Sequence, residues 1–312
     1  MARNTDINSI LFPVKLKPLF LGEKAQLVRG YKAVTANPDT ASQSVLSVVS
    51  DNYFLVTNQY ALELAKKVHQ LLFPDADARN FEVFNIIAPM TKSFCQIDII
   101  DKNYTLNIWK QEVYVPFVRL HNSYNKSRTL KFDIGFCRKL CDNGMIFEAE
   151  SVSISFSHTR KELNLERLQN MNVDRLRRLE QDFIKKTKKS LEIAIPEKYF
   201  LPLAAQILGK KFNLNEKDPQ KRARIENNFA AFRYSINHYS EKYIRNENFG
   251  ETGYAFFNVI TDFASRTENA NAINGLQTKC GTWLRELGEQ VKSLEFNWGK
   301  ELEDYLYLLD VN

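Results

Sequence analysis

The residues best able to do chemistry crowd into one stretch of this 312-residue chain. Between Tyr114 and Gly144, Arg119, His121, Asn122, Ser123, Arg128, Arg138 and Asn143 alternate with strand-forming apolar residues. Such a set can hydrogen-bond phosphates or base edges. It can equally tie down turns, since Asn and Ser satisfy loop backbone locally, and Asn143-Gly144 is a turn signal. Cys141, Asp142 and His158 are conceivable as nucleophile, orienting group and base, yet no G-x-S-x-G elbow frames them and no catalytic residue is assigned. Cys137 and Cys141 with His121 or His158 could be assembled into a zinc set. Cys-x₃-Cys is not the usual knuckle spacing and no second pair follows, so no metal and no cofactor are expected. Strand alternation buries Cys137 as a free thiol. Asp98 and Asp101 read as a solvated turn at a strand end. The chain has no P-loop, no G-x-G-x-x-G and no H-E-x-x-H.

A second chemistry is purely electrostatic. The net charge is +6. From Arg160 to Arg224 there are 17 Lys/Arg and 9 Asp/Glu, so the remainder of the chain is slightly acidic. A basic surplus confined to one segment suits a phosphate-facing surface, because neutralised phosphates release condensed counterions; its plain alternative is a solvated helix face. Arg175, Arg178, Lys185, Lys186 and Lys189 are the candidate contacts there, joined by Arg119, Asn122, Ser123, Lys126, Arg128, Arg138, Asn143 and His158 from the first cluster.

Two kinds of element must hold these residues. Residues 1–160 read as a β-rich α+β domain. Lys24–Val34, Ser44–Ser50 and Tyr53–Thr57 are short Val-, Tyr- and Leu-rich strands, with Asp51-Asn52 as a hairpin turn. Gln59–Phe73 then switches to helical spacing, closed by Pro74, giving a β-β-β-α opening. Phe81–Ala88, Phe94–Ile100, Tyr104–Trp109, Val113–His121, Thr129–Cys137 and Ser151–His158 continue as strands of a bent, mainly antiparallel sheet. Residues 161–312 read as helical: Asn164–Leu191, Tyr199–Leu208, Pro219–Arg245, Thr252–Thr267, Asn271–Leu287 and Glu295–Leu309. Asp218-Pro219 has the form of an N-cap followed by proline at the first helical position. Phe229, Phe232, Ile236, Tyr239 and Tyr243 mark a core stripe, although aromatic and basic residues interleaved in this way can also stack bases. Asn258, Thr261 and Asp262 share one helix face.

Composition narrows the class. Hydrophobic residues make up 44% of the chain, enough for a sizeable core. No apolar run reaches membrane-spanning length, and the N-terminus lacks a secretion-signal pattern. Four scattered cysteines do not make a disulfide framework. A cytoplasmic globular protein is expected.

HNSYNKSR at His121–Arg128, GFCRKLCDNGMIF at Gly135–Phe147 and SFSHTR at Ser155–Arg160 resemble the "NSHDGS", "R-x-x-C-x-N-G" and "R-H" blocks of the phage/plasmid-like protein family, domain of unknown function 932 (DUF932). GYAFFNVITDFAS at Gly253–Ser265 resembles that family's helical "NAxTE" segment. Tyr124 stands where the family has His, Asn125 where it has Asp, and Ser157-His158 where it has Arg-His. The resemblance implies carriage on phages, plasmids and integrated elements, and no agreed activity.

The resulting expectation is a mobile-element protein that binds nucleic acid, in the first place single-stranded DNA, acting in recombination or strand annealing and able to self-associate. One alternative is an enzyme or ligand binder around Asn122, Arg138, Cys141, Asn143 and His158. The other is a host-interaction or regulatory factor of the element.

Overall fold

In the computed structural model of the protein, residues 6–73, 75–110, 112–139, 144–147, 154–156, 173–292 and 296–309 are described. They fall into two compact units: Met1–Thr105 with Val115–Gly135 and Glu148–Arg178, and Leu106–Tyr114 with Phe136–Phe147 and Leu179–Asn312. The chain is α+β, with antiparallel sheets and one helix after the first three strands, then a helical second half.

The first unit opens with an antiparallel sheet of β1 (Val14–Leu21), β2 (Gln26–Ala36) and β3 (Ser44–Ser50), in that order. The β-β-β-α opening therefore stands, but with different strands. Pro18 masks β1 in the sequence. It is tolerated because β1 is an edge strand and its register with β2 shifts between Pro18 and Phe20. Tyr53–Thr57, expected as a strand, is a loop. It is apolar because it threads the core: Tyr53 and Val56 are buried, and Tyr53 packs with Val14, Val34, Val49 and Tyr124. Asp51-Asn52 accordingly leads into that loop and is not a hairpin turn.

Helix α1 (Asn58–Leu72) starts at Thr57, whose Oγ1 accepts from the Tyr60 amide at 3.2 Å. It buries Ala61, Leu62, Leu64, Ala65 and Val68 and packs on β5 (Phe94–Asp101). In this unit the second sheet runs β10-β8-β7-β5-β4: Ile154–Phe156, Leu130 onward, Val115–Ser123, Phe94–Asp101 and Phe81–Ile87. Every residue of β5 is buried, so this strand is covered on both faces.

The second unit holds β6 (Leu106–Trp109) against the start of β7 (Glu112–Ser123), and β9 (Gly144–Ile146) against the end of β8 (Leu130–Arg138). Its helices are α2 (Val173–Glu192) from Leu179 onward, α3 (Phe200–Leu208), α4 (Pro219–Glu241), α5 (Gly253–Arg266) and α6 (Ala270–Gln290). Asp218 caps α4 as expected, accepting from the amides of Gln220 at 2.9 Å and Lys221 at 3.2 Å. Phe183 stacks on Phe136 at 4.2 Å between ring centres and meets Phe147 and Tyr114 edge-on. Helix α6 lies so close to β9 that a Cβ at Gly281 would collide with the Ile146 carbonyl oxygen, so only glycine fits there. Among the described residues no helix is long and apolar enough to cross a membrane.

Candidate functional site

In the first unit the HNSY segment is wired into the fold. Its register places Asp98 opposite Arg119 and Gln96 opposite His121 on β5 and β7. Arg119 is fully buried and grips Asp98 with two bonds, Nε to Oδ1 at 2.6 Å and Nη2 to Oδ2 at 2.7 Å. Asp98 is thus not part of a solvated turn: it lies mid-strand, and its carboxylate is the counter-ion that lets an arginine be buried. Asp101 is buried too, accepting from the backbone amides of Asp77 and Asn103. The Arg119 cation faces Asp98 inside the protein and does not reach the surface as a phosphate contact would.

His121 Nε2 is hydrogen-bonded to Asp133 Oδ2 at 2.8 Å, and Lys131 reaches the other carboxylate oxygen at 2.8 Å. Burial pushes the imidazole down, with Asp133 opposing. Burial alone would raise the Asp133 carboxyl, but His121 and Lys131 outweigh it and hold it below the usual carboxylate range. Asn122 donates to the Val56 carbonyl at 3.0 Å and to Asn58 Oδ1 at 2.8 Å, while the Tyr124 hydroxyl accepts from the Asn58 amide at 2.9 Å. These two residues fix the first turn of α1. Ser123 Oγ donates to the Arg128 carbonyl at 2.7 Å and accepts from the Arg128 amide, closing the loop. Lys126 is exposed at the loop tip and donates to Ser50 Oγ, and the half-buried Arg128 guanidinium lies 4.3 Å from the Phe94 ring centre.

In the second unit Arg138 is buried and carries two carboxylates. Its Nε and Nη2 hold Glu112 at 2.5 and 2.6 Å, and Nη2 also reaches Glu247 at 2.5 Å. The Tyr254 hydroxyl donates to the same Glu112 oxygen at 2.6 Å, with Tyr114 beside it. Like Arg119, this arginine spends its charge internally. On α5, Asn258 and Thr261 bond back to carbonyls of their own helix, and Asp262 pairs with Lys242, Tyr243 and Arg266. That polar face is a buried network. Phe229, Phe232, Ile236 and Tyr243 are buried, as a core stripe requires.

Asn143 and His158 lie outside the described residues, as do Cys141, Asp142 and the side chain of Arg175. Cys95, Cys137 and Cys280 are buried free thiols. Burial pushes the Cys95 thiol up to about 12 and Cys280 higher still, so neither is a thiolate near neutrality. Among the described residues no group of three or more His, Cys, Asp or Glu is placed to hold a metal ion.

The basic helix behaves differently. The C-terminal half of α2 and the end of α6 line a groove of ≈ 640 Å³ with Lys185, Lys186, Lys188, Lys189 and Lys292. Helical spacing brings Lys185, Lys188 and Lys189 onto one side of α2. Two acids temper them: Glu289 meets Lys186 at 3.9 Å and also Lys292, and Glu192 meets Lys189 at 2.6 Å. Lys185 and Lys188 are exposed and form no ion pair among the described residues. Arg178 is exposed on the same helix. Lys188 belongs to a Lys-Lys-Thr-Lys-Lys run and its signal was readable three residues after Lys185. Lys292 had no signal, because only packing brings it beside α2.

No curated protein and no solved structure matches the chain. The profile of a family described as a domain of unknown function, DUF932, matches residues 45–285. That span takes in the α1-anchoring HNSY segment, the buried Arg138 and helix α5, and it covers well over half of the sequence. The chain belongs to the DUF932 family.

Proposed function

We propose that this protein binds nucleic acid through the α2–α6 groove and acts, as a protein of a mobile element, in recombination by annealing single strands. The observation that carries the reading is the convergence of five lysines on one groove, two of which form no ion pair among the described residues. Lysine side chains hold a phosphate backbone as mobile point charges and leave base edges unread. Annealing asks for that and for no nucleophile: strands are held by their backbones while their bases pair with one another. The mobile-element setting is what the resemblance of the sequence blocks to phage/plasmid-like proteins implies.

Gel shifts with single- and double-stranded DNA at two salt concentrations test the proposal. With about five phosphate contacts, log affinity for a single strand falls with log salt at a slope of roughly −3.5. Lys185→Glu/Lys188→Glu is expected to weaken binding about tenfold or more and to flatten that slope. Absence of binding even at low salt sinks the reading.

A further inference from the structure

The first unit carries a surface that the groove does not explain. Beyond Tyr31 the β1–β2 pair runs without β3, whose register with β2 begins at Tyr31 opposite Ser50. From Pro18 to Lys32 no side chain is buried, so the hairpin extends past its core as a two-stranded arm. At about 3.3 Å per residue, the arm reaches roughly 15–20 Å. It ends in a turn at Gly22–Ala25, closed by the Ala25 amide on the Gly22 carbonyl, with Gly22 at φ +72°. Phe20 and Leu27 face each other across it, and Phe20, Leu21, Leu27 and Tyr31 are each more than half exposed.

An exposed apolar cluster of this kind marks a binding surface. Its charge selects the occupant. Val14–Ala36 contains Lys15, Lys17, Lys24, Arg29 and Lys32 against Glu23 alone. Lys17 is occupied by Asp39, whereas Lys24, Arg29 and Lys32 form no ion pair among the described residues. Pro18–Lys32 carries Lys24, Arg29 and Lys32 against Glu23, a net positive charge that opposes the docking of one arm on another copy. It favours a polyanion, and the aromatic faces favour one whose bases are unstacked and open.

We infer that the β1–β2 arm is a single-strand contact, with Phe20 and Tyr31 stacking unpaired bases while Lys24, Arg29 and Lys32 hold the adjoining phosphates. This rests on the nucleic-acid reading and makes it specific: the arm discriminates single strand from duplex, in which bases offer no free face.

The test is fluorescence anisotropy on the full chain with a labelled oligothymidylate and a mixed-sequence duplex of equal length. Phe20→Ser/Tyr31→Ser is expected to weaken oligothymidylate binding by about tenfold or more and to leave duplex binding within about twofold. Both side chains are exposed, so the wild-type melting curve is expected. Should it change, Lys24→Glu/Arg29→Glu reads the same arm, with a similar loss expected on the single strand. If the wild type binds neither oligonucleotide, the nucleic-acid reading and the arm inference fall together. If the wild type binds and both arm variants match it on the single strand, the arm inference alone is overturned. It is also overturned if the arm variants change only the sedimentation coefficient, or only the binding of phosphatidylglycerol vesicles.

Discussion

Arg119 on β7 and Lys185 on α2 carry the same charge and meet opposite surroundings. The strand arginine is buried against a carboxylate directly across the sheet, and Arg138 repeats the pattern in the second unit with two. The helix lysine stands exposed at a groove shared with four others. A strand covered on both faces has no solvent side, so any cation on it must bring its own counter-ion. A helix packed along one stripe keeps a wet side where cations can accumulate. Basic residues therefore report binding capacity only after the face they occupy is known.

Removing one partner of an inward pair has the largest expected effect on stability. Arg138→Leu strands Glu112 in the interior and is expected to lower unfolding stability by about 3–5 kcal/mol in urea titrations. Restoring an apolar partner with Glu112→Leu is expected to recover most of the loss. A change below about 1 kcal/mol for the single variant would contradict the structural role assigned to Arg138.

Next in size is a base that burial holds neutral, against the opposing pull of Asp101. His69 on α1 packs between Phe73 and Phe81, neither ring nitrogen has a hydrogen-bond partner among the described residues, and burial pushes its pKa down to about 4. The folded state thus favours the neutral ring, while the unfolded chain takes its proton near 6.5. Stability from this residue is complete above pH 6.5, declines as pH falls through the unfolded value, and stops declining below about pH 4. The total is about 3 kcal/mol. His69→Phe is expected to flatten the pH dependence of stability across that window, and an unchanged profile in thermal melts at several pH values would count against it. His121 declines in the same direction and supplies the residual slope.

The smallest effect on stability belongs to the outward cations. Lys185→Glu/Lys188→Glu is expected to shift unfolding by less than about 0.5 kcal/mol. A loss comparable to that of Arg138→Leu would show that these lysines are structural, and the contrast between strand and helix would dissolve.

Much of the fold was legible. Helix α1 and the helices of the second half announced themselves by 3.6-residue spacing and by caps such as Asp218-Pro219, and β3, β4 and β5 by their apolar runs. Strand β1 was hidden by Pro18, whose tolerance depends on lying at a sheet edge. Tyr53–Thr57 looked like a strand because apolar loops and buried strands share a composition. The site was less legible. Arg119, Asn122 and Arg138 stand out in the sequence as polar residues among strand-forming ones, but the same residue types serve a phosphate or an internal carboxylate, and only the register of Asp98 and the approach of Glu112 choose between them.

By itself the sequence determined the α+β class, the family, the basic character of α2 and the apolar stripe of α4, because each depends on local spacing or on composition. Tertiary structure decided which cations are neutralised, that Lys292 joins the α2 lysines, and that Phe20 and Tyr31 stand outside the core. Those outcomes hang on pairings between residues far apart in the chain, where a one-residue change of register reverses the face that a side chain occupies.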